Sequence, residues 1–219
     1  MTHAFRFLIA LLFPLLAFAQ DAGPEALVKK MTEEVLAAIK SDQQLAAGDR
    51  RKAIKLAEEK ILPHVDFEEA TRLAVGRGWK QASPEQQKKL VGEFRSMLVR
   101  TYSNAISAYQ GQTMRVMPVR MKRGDTEATV HNQFIRPGAR PVLVDYTMRQ
   151  TEKGWKIYDI VIEGVSLVLT YRSEFDAVVK QDGIDGLIKR LSQKNAPAAA
   201  GKNGDRPHFS HLALSREML

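Results

Sequence analysis

The chain has no cysteine among its 219 residues. That absence excludes disulfides, thiolate metal sites and thiol nucleophiles, so apolar packing has to hold the fold together. The chain also lacks an apolar run of the roughly 20 residues that a helix needs to cross a bilayer. Its longest apolar run covers only residues 7–19.

The N-terminus has the pattern of a secretory signal peptide. His3 and Arg6 are basic, residues 7–18 are apolar, and Ala17 and Ala19 form an A-x-A cleavage site. Cleavage there predicts that residues 1–19 are removed and that the mature protein is exported to a bacterial periplasm. A retained membrane anchor is the alternative, and it would need a longer apolar run.

The remaining chain is predicted to form one domain, residues 20–195, of a size that can bury a core. Residues 196–219 are rich in Ala, Gly, Pro and charge without apolar periodicity, which predicts a disordered tail. The formal charge of +8 falls by one, to +7, when Arg6 leaves with the signal peptide. A positive charge of this size allows binding to anionic lipid headgroups or to an acidic protein partner, or it can simply keep the surface solvated. Nucleic acid is disfavoured, because the basic residues are scattered and lack interleaved aromatic residues.

The first half of the chain has apolar residues at helical spacing. The pattern predicts helices over residues 24–39, 50–61 and 67–75, and a long helix that runs from Pro84 to about Gly111. Asp66 is expected to cap the third helix, and Ser83 with Gln86 forms a capping box before the long one.

After Gly111 the apolar period changes to two. Four strands are predicted, over residues 113–121, 127–135, 141–150 and 155–163. Short turns join them, so they should form an antiparallel meander. One face of the second and third strands is apolar and carries Ala128, Val130, Phe134, Val142, Val144, Tyr146 and Met148.

The fourth strand has apolar residues in both alternating sets. Simple alternation places Trp155, Ile157 and Val161 on one face, and Tyr158, Ile160 and Ile162 on the other. A turn at Glu163 and Gly164 is then predicted to lead directly into an apolar helix.

Several short motifs follow one another in a fixed order between Leu27 and Lys194. They are Trp79 with ASPEQ at 82–86, the stripe Phe94, Leu98, Thr101 and Tyr102, VDY at 144–146, WKIYD at 155–159, EGVS at 163–166 and YRSEF at 171–175. This order behind a signal peptide resembles that of the toluene-tolerance family of periplasmic phospholipid-binding proteins, the MlaC family.

The resemblance implies an α+β fold of the NTF2-like or cystatin-like type. N-terminal helices and a long central helix would pack on a curved four-stranded antiparallel sheet, with closing C-terminal helices and an apolar cavity between helices and sheet. It also implies a monomeric carrier that shuttles phospholipid between the outer and inner membranes, as the soluble component of an ABC transport system that maintains outer-membrane lipid asymmetry. The implied partners are an inner-membrane ABC transporter complex and an outer-membrane lipoprotein–porin complex. Phospholipid is then cargo, and no cofactor is expected.

A wedge between the sheet and the long helix could enclose acyl chains. Each buried methylene is worth about 0.8 kcal/mol, so a chain of ~16 carbons exposed to water would cost on the order of 12 kcal/mol. The predicted lipid-contacting residues are Leu73, Phe94, Leu98, Tyr102, Ile106, Val130, Phe134, Val142, Val144, Tyr146, Met148, Ile160, Val165 and Leu169. Ordinary core packing is the alternative at each position.

An enzyme acting on a small hydrophobic substrate is the alternative function, and an adaptor with a fully packed core is the third. NTF2-like folds host enzymes that use Asp/His pairs in an apolar pocket. Here His64 lies near Asp66, which is better explained as a cap, and His131 lies on a polar face. Asp145 and Asp159 are predicted to face solvent or the sheet edge. The sequence shows no metal-ligand cluster, glycine-rich phosphate loop or nucleophile elbow, so no catalytic or metal-binding residue is predicted.

Overall fold

The structure, a computed structural model, describes residues 23–107 and 112–196, without the side chains of residues 104–107. The predicted signal peptide lies outside these residues. So do the predicted end of the long helix at Gly111 and all but the first residue of the predicted tail.

Helices make up the N-terminal half and the C-terminal end of the described chain. They are α1 (Pro24–Ser41), α2 (Gln43–Ala46), α3 (Arg50–Lys60), α4 (Phe67–Val75), α5 (Pro84–Ser107) and α6 (Arg172–Asn195). Short 3₁₀ segments occur at Leu62–His64, Gly76–Gln81 and Leu169–Tyr171. The helices predicted before Gly111 are therefore confirmed to within one or two residues over the part that the structure describes.

Side-chain caps fix where several helices begin. The Asp49 carboxylate accepts from the second and third backbone N–H groups of α3. Asp66 Oδ1 accepts from the backbone N–H of Glu69 in α4, at 3.0 Å. Ahead of α5, the Gln86 N–H donates to Ser83 Oγ at 3.2 Å and the Ser83 N–H donates to Gln86 Oε1 at 3.0 Å. The cap and the capping box predicted from the sequence are both confirmed.

Five strands form one antiparallel sheet in chain order. They are β1 (Thr113–Val116), β2 (Glu127–Ile135), β3 (Val142–Thr151), β4 (Gly154–Ile162) and β5 (Val165–Ser166). The predicted meander is confirmed, with one more strand than expected. The first strand ends earlier than predicted, ahead of Pro118, which has no N–H to donate to a ladder.

A β-bulge in β4 brings most of the large apolar residues of that strand onto one face. Tyr146 pairs with Ile160, but Met148 pairs with Ile157, so β4 holds one extra residue between these pairs. The extra residue shifts the alternation of side chains by one. One apolar cluster therefore contains Trp155, Ile157, Ile160 and Ile162 of β4 together with Val130, Val144, Tyr146 and Met148 of β2 and β3. The predicted division of the β4 residues between two faces is wrong, because it assumed unbroken alternation.

The segment after β4 is not a helix, although the sequence pattern predicts one there. Glu163 and Gly164, with φ angles of 48° and 82°, turn the chain back along β4. Ser166 then pairs with Val161, which makes a two-residue edge strand, and α6 begins only at Arg172. The apolar residues of this segment are accommodated by a strand and a turn rather than by a helix.

The apolar interior consists of separate clusters. One lies between α4, α5 and α6 and centres on Phe94, Tyr171 and Phe175, whose ring centroids are 5.4–5.6 Å apart. Another joins α1 to the apolar face of the sheet, through Val28 and Met31. A third, smaller cluster joins α1, α2 and α3. The helical half thus has a core that does not involve the sheet.

The start of α4 is tied to the sheet next to the bulge. Val65 forms a parallel bridge with Ile157, and the Asp66 N–H donates to the Ile157 carbonyl at 2.7 Å. Arg149 of β3 contacts two acids at the start of α4, with its guanidinium 2.7 Å from Oδ2 of the cap residue Asp66 and 3.1 Å from Glu69 Oε2. These contacts fix how the helices sit against the sheet.

Two aspartate substitutions separate the stability that a helix cap contributes from the stability that the Arg149 contacts contribute. Asp49→Ala removes only a cap and should lower the free energy of unfolding by about 1 kcal/mol. Asp66→Ala also removes a partner of Arg149 and should cost roughly 2–3 kcal/mol, because hydrogen bonds to charged groups are stronger than neutral ones. Urea denaturation at neutral pH measures both. Equal losses would show that the Arg149 contacts add nothing to the cap.

Candidate functional site

A cavity of about 760 Å³ lies between the helices and the apolar face of the sheet. Its volume falls within the roughly 300–1,000 Å³ of small-molecule sites. The helical wall includes Met31, Thr32, Val35, Leu36, Ile39, Ala57, Leu98, Val99 and Tyr102. The sheet wall includes Phe134, Val142, Val144, Tyr146, Ile157, Ile160 and Ile162. Most of the surface that a ligand would meet is aliphatic or aromatic.

The cavity exists because the long helix α5 packs mainly against other helices. α5 contacts α3, α4 and α6, whereas α1 and α4 contact the sheet. α5 is therefore held by the helical cluster, and the space between it and the sheet stays open. Leu167 and Val168, from the turn after β5, contribute a further part of the wall.

Polar residues collect at one end of the cavity, around the turn between β2 and β3. Arg136 and Arg140 of this turn line the cavity together with Glu163. Arg140 is 82% exposed and lies 3.5 Å from Glu163. Since this end is both charged and exposed, the cavity opens to solvent here. A ligand with an apolar body and a charged end would fit this distribution.

Buried hydroxyl groups interrupt the apolar walls. Thr32, Tyr102 and Tyr146 all line the cavity. Burial raises the pKa of Tyr146 to about 12, although a hydrogen bond with the Thr32 hydroxyl acts in the opposite sense. Burial also raises the pKa of Tyr102, and the neighbouring Tyr171 adds to the effect. Both phenols therefore stay neutral at physiological pH and can act as hydrogen-bond donors rather than as bases.

Asp159 is a buried carboxylate at the cavity wall, not the solvent-facing or edge residue that was predicted. The turn after β5 folds over it, so that it accepts from Ser166 Oγ at 2.5 Å and from the Val168 N–H at 3.2 Å. Burial raises its pKa, while these hydrogen bonds partly offset the shift. Its two oxygens are thus occupied in holding the turn that closes this side of the cavity.

Neither histidine of the described chain lines the cavity. His64 lies in the 3₁₀ segment before α4, where burial lowers its pKa. His131 is exposed on the polar face of the sheet, with Nδ1 2.8 Å from Asp145 Oδ1. Over residues 23–107 and 112–196, no group of three or more His, Asp or Glu side chains could hold a metal ion. In the same part of the chain no helix combines the length and apolarity needed to cross a membrane.

The structure brings half of the predicted lipid contacts together at the cavity. The seven that line it are Leu98, Tyr102, Phe134, Val142, Val144, Tyr146 and Ile160. Six others lie elsewhere, namely Leu73 and Phe94 in the helical cluster, Val130 and Met148 in the core under α1, and Val165 and Leu169 on the surface. The side chain of Ile106 is outside the described residues. Contact of any of these residues with lipid remains a prediction.

Sequence reasoning missed the part of the cavity wall that α1 contributes and two residues of β4. The α1 residues Met31, Thr32, Val35, Leu36 and Ile39 line it, as do Ile157 and Ile162 of β4. The stripe on α1 is visible in the sequence, but nothing there separates a residue that faces a cavity from one that faces a core. The two β4 residues depend on the bulge.

The raised pKa of Asp159 predicts a pH dependence of stability. The folded protein holds this proton more tightly than the unfolded chain, whose ordinary pKa is 3.8. Stability should therefore fall as the pH rises from about that value through the native pKa, and then level off. Asp159→Asn keeps an acceptor for the Val168 N–H but has no titrating proton. The free energy of unfolding of this variant, relative to that of the wild type, should therefore increase across the same interval. Urea denaturation between about pH 3.5 and 8 measures the difference, and a constant difference would contradict the raised pKa.

The fold is shared with a protein of known structure. A phospholipid-binding protein from Ralstonia solanacearum, solved in complex with a phospholipid, is 39% identical, with a TM-score of 0.73. The match covers 80% of this chain and 97% of that one.

Sequence comparisons agree with the structural one. The chain is 24% identical over 176 residues to the intermembrane phospholipid transport system binding protein MlaC of Haemophilus influenzae, covering 79% of this chain and 82% of that one. It is also 24% identical over 174 residues to the toluene tolerance protein ttg2D of Pseudomonas putida, covering 79% and 80%. Residues 29–193, well over half of the chain, match the family model of the MlaC protein. The resemblance seen in the sequence is confirmed, and the chain belongs to the MlaC family.

Proposed function

We propose that this protein is a periplasmic phospholipid carrier that encloses acyl chains in the cavity between its helices and its sheet. The observation that carries the proposal is the cavity itself, apolar over most of its wall and charged at one exposed end. A relative with the same fold, 39% identical, was solved with a phospholipid.

The distribution of polarity matches what aqueous transit of a phospholipid requires. Each methylene removed from water is worth about 0.8 kcal/mol, so the acyl chains have to be enclosed. A phosphate headgroup is costly to bury and is better left near water and near cations. Arg136 and Arg140 at the exposed end supply cations, while the opposite end is lined by Ile157 and other aliphatic residues.

The proposed setting is transport between two membranes. The relatives are named for intermembrane phospholipid transport and for toluene tolerance. On that basis the proposed partners are an inner-membrane ABC transporter complex and an outer-membrane lipoprotein–porin complex, with a monomeric carrier between them. No catalytic role is proposed, because the cavity phenols stay neutral and Asp159 is occupied by its turn.

The periplasmic setting predicts processing of the N-terminus. Cleavage of the A-x-A site after Ala19 should give a mature protein that begins at Gln20. Intact-mass measurement on protein from the periplasmic fraction checks this. A form that retains Met1 and stays with the membrane fraction would contradict both the cleavage and the location.

Bound cargo is the direct test of the carrier. Protein purified without added lipid should yield phospholipid when it is extracted with organic solvent and examined by mass spectrometry. Val144→Arg places a charge on the cavity wall without a partner, so this variant should lose most of its lipid. Leu143→Arg is the matched control, because the neighbouring residue points to the other face and is 47% exposed.

The comparison is the molar ratio of lipid to protein, with circular dichroism to show that both variants are folded. The control should keep the wild-type ratio. Folded wild-type protein that yields no phospholipid would overturn the proposed function. Equal loss of lipid in both variants would show that the effect of Val144→Arg is not specific to the cavity.

A further inference from the structure

One part of the cavity wall is a short strap, residues 165–169, that is neither a helix nor a full strand. Leu167 and Val168 of this strap line the cavity and are buried. Val165 and Leu169 are also apolar, but they are 38% and 45% exposed. The strap is therefore apolar on both faces, with one face on the cavity and the other on solvent.

Few backbone contacts join the strap to the sheet. Within the described chain, two of its residues, Val165 and Ser166, pair with β4. One further backbone hydrogen bond runs from the Leu167 N–H to the Ile160 carbonyl, at 2.9 Å. By contrast, β3 pairs along nearly its whole length with β2 on one side and with β4 on the other. Segments with few backbone hydrogen bonds open more readily than strands inside a sheet.

Both ends of the strap are fixed, which leaves its middle as the part that can move. Before it, the Glu163 N–H donates to the Leu143 carbonyl of β3 at 3.0 Å, and the Glu163 carboxylate accepts from the Leu143 N–H. After it, Tyr171 is buried in the helical cluster. Gly164 has a φ of 82°, and a Cβ there would meet no atom within 4 Å beyond its two chain neighbours. Gly164 can therefore act as a hinge.

Asp159 sets the closed position of the strap. Its carboxylate accepts from Ser166 Oγ at 2.5 Å and from the Val168 N–H at 3.2 Å. Ser166 Oγ accepts in turn from the Leu169 N–H at 2.8 Å. Since both faces of the strap are apolar, burial alone does little to select one position, whereas hydrogen bonds are directional. Those to a carboxylate are also about twice as strong as neutral ones.

The strap lies beside the charged end of the cavity. It follows the turn at Glu163, which lines that end with Arg140, and runs back along β4 towards Ile160 for about 10 Å. Outward movement of the strap therefore extends the opening at the charged end along one side of the cavity. Acyl chains can then enter sideways while the phosphate stays near Arg140, so that the headgroup does not have to cross the apolar interior at high cost.

We infer that the strap is the gate through which acyl chains enter and leave the cavity, and that the hydrogen bond between Asp159 and Ser166 holds this gate closed. The inference rests on the proposed function and adds to it the route of entry. Asp159 is then a positioning residue that acts through the strap. Exchange of bound lipid has to wait for the gate to open, so its rate depends on how firmly the strap is held. The amount of lipid bound does not, because the empty and the loaded forms share the same hydrogen bond.

A reversible disulfide between the strap and β4 tests the gate. Val161→Cys with Ser166→Cys replaces a paired position of the ladder, where Cα atoms are about 4.5–5.5 Å apart, within the range that a disulfide spans. Neither residue lines the cavity, and the chain has no cysteine of its own. Arg115→Cys with Gln133→Cys is the matched control, because this pair joins β1 to β2 at the other edge of the sheet.

The measurement is the rate of lipid exchange. Protein that carries its own lipid is incubated with vesicles of acyl-chain-deuterated palmitoyl-oleoyl phosphatidylglycerol and reisolated at intervals, and mass spectrometry gives the labelled fraction of the bound lipid. The strap variant should stop exchanging when it is oxidised and exchange again when it is reduced, at an unchanged ratio of lipid to protein. The control should exchange equally in both states. Intact mass shows that each disulfide has formed.

Ser166→Ala tests the hydrogen bond that holds the gate. The variant loses a bond to a carboxylate, so the strap should open more often and exchange should become roughly tenfold faster or more. Ser96→Ala is the control, because Ser96 is an exposed serine of α5 whose hydroxyl donates to the Gly92 carbonyl. This control should exchange at the wild-type rate. Both variants should keep the wild-type ratio of lipid to protein.

Two results would overturn the inference while leaving the carrier function intact. One is an equal exchange rate of the strap variant in its oxidised and reduced states, which would place the route of entry elsewhere on the wall. The other is a Ser166→Ala variant that exchanges no faster than the wild type. Folded wild-type protein that neither carries lipid nor takes up the labelled lipid would instead overturn the proposed function, and the inference with it.

Discussion

The bulge in β4 is the constraint on which the rest of the interior depends. One extra residue between the Tyr146–Ile160 and Met148–Ile157 pairs places Trp155, Ile157, Ile160 and Ile162 on a single face of the sheet. The backbone carbonyl of Ile157, beside the bulge, accepts from Asp66 at the start of α4. The same irregularity thus gives the sheet a continuous apolar wall and the helical half its point of attachment.

The cavity results from how the helices divide their contacts. Phe94, Tyr171 and Phe175 hold α5 to α6 in a core without strands, while α1 covers one part of the sheet through Val28 and Met31. The described part of the long helix therefore does not have to close onto the sheet to be stable. An amphipathic ligand can lie in the remaining space, with its charged end at Arg140 and Glu163.

Features set by local sequence could be predicted, and features set by tertiary register could not. The capping box at Ser83, the helices and the antiparallel meander follow from residues close together in the chain. The bulge gives no clear local signal, so the faces of β4 were assigned wrongly. The strip of α5 that meets α6 and the strip that meets the cavity are both apolar, which explains why Phe94 and Leu98 were predicted to have the same role. Asp159 was misplaced because its burial depends on a turn several residues later.

The separation of the cores has a consequence for how the protein can be reused. A ligand that binds only the folded state stabilises it, and that stabilisation is lost when the ligand leaves. Here the rings of Phe94, Tyr171 and Phe175 pack against one another among the helices, and none of the three lines the cavity. For the proposed carrier, this part of the core contributes the same stability before and after the cargo is delivered, so one protein molecule can be used for more than one delivery.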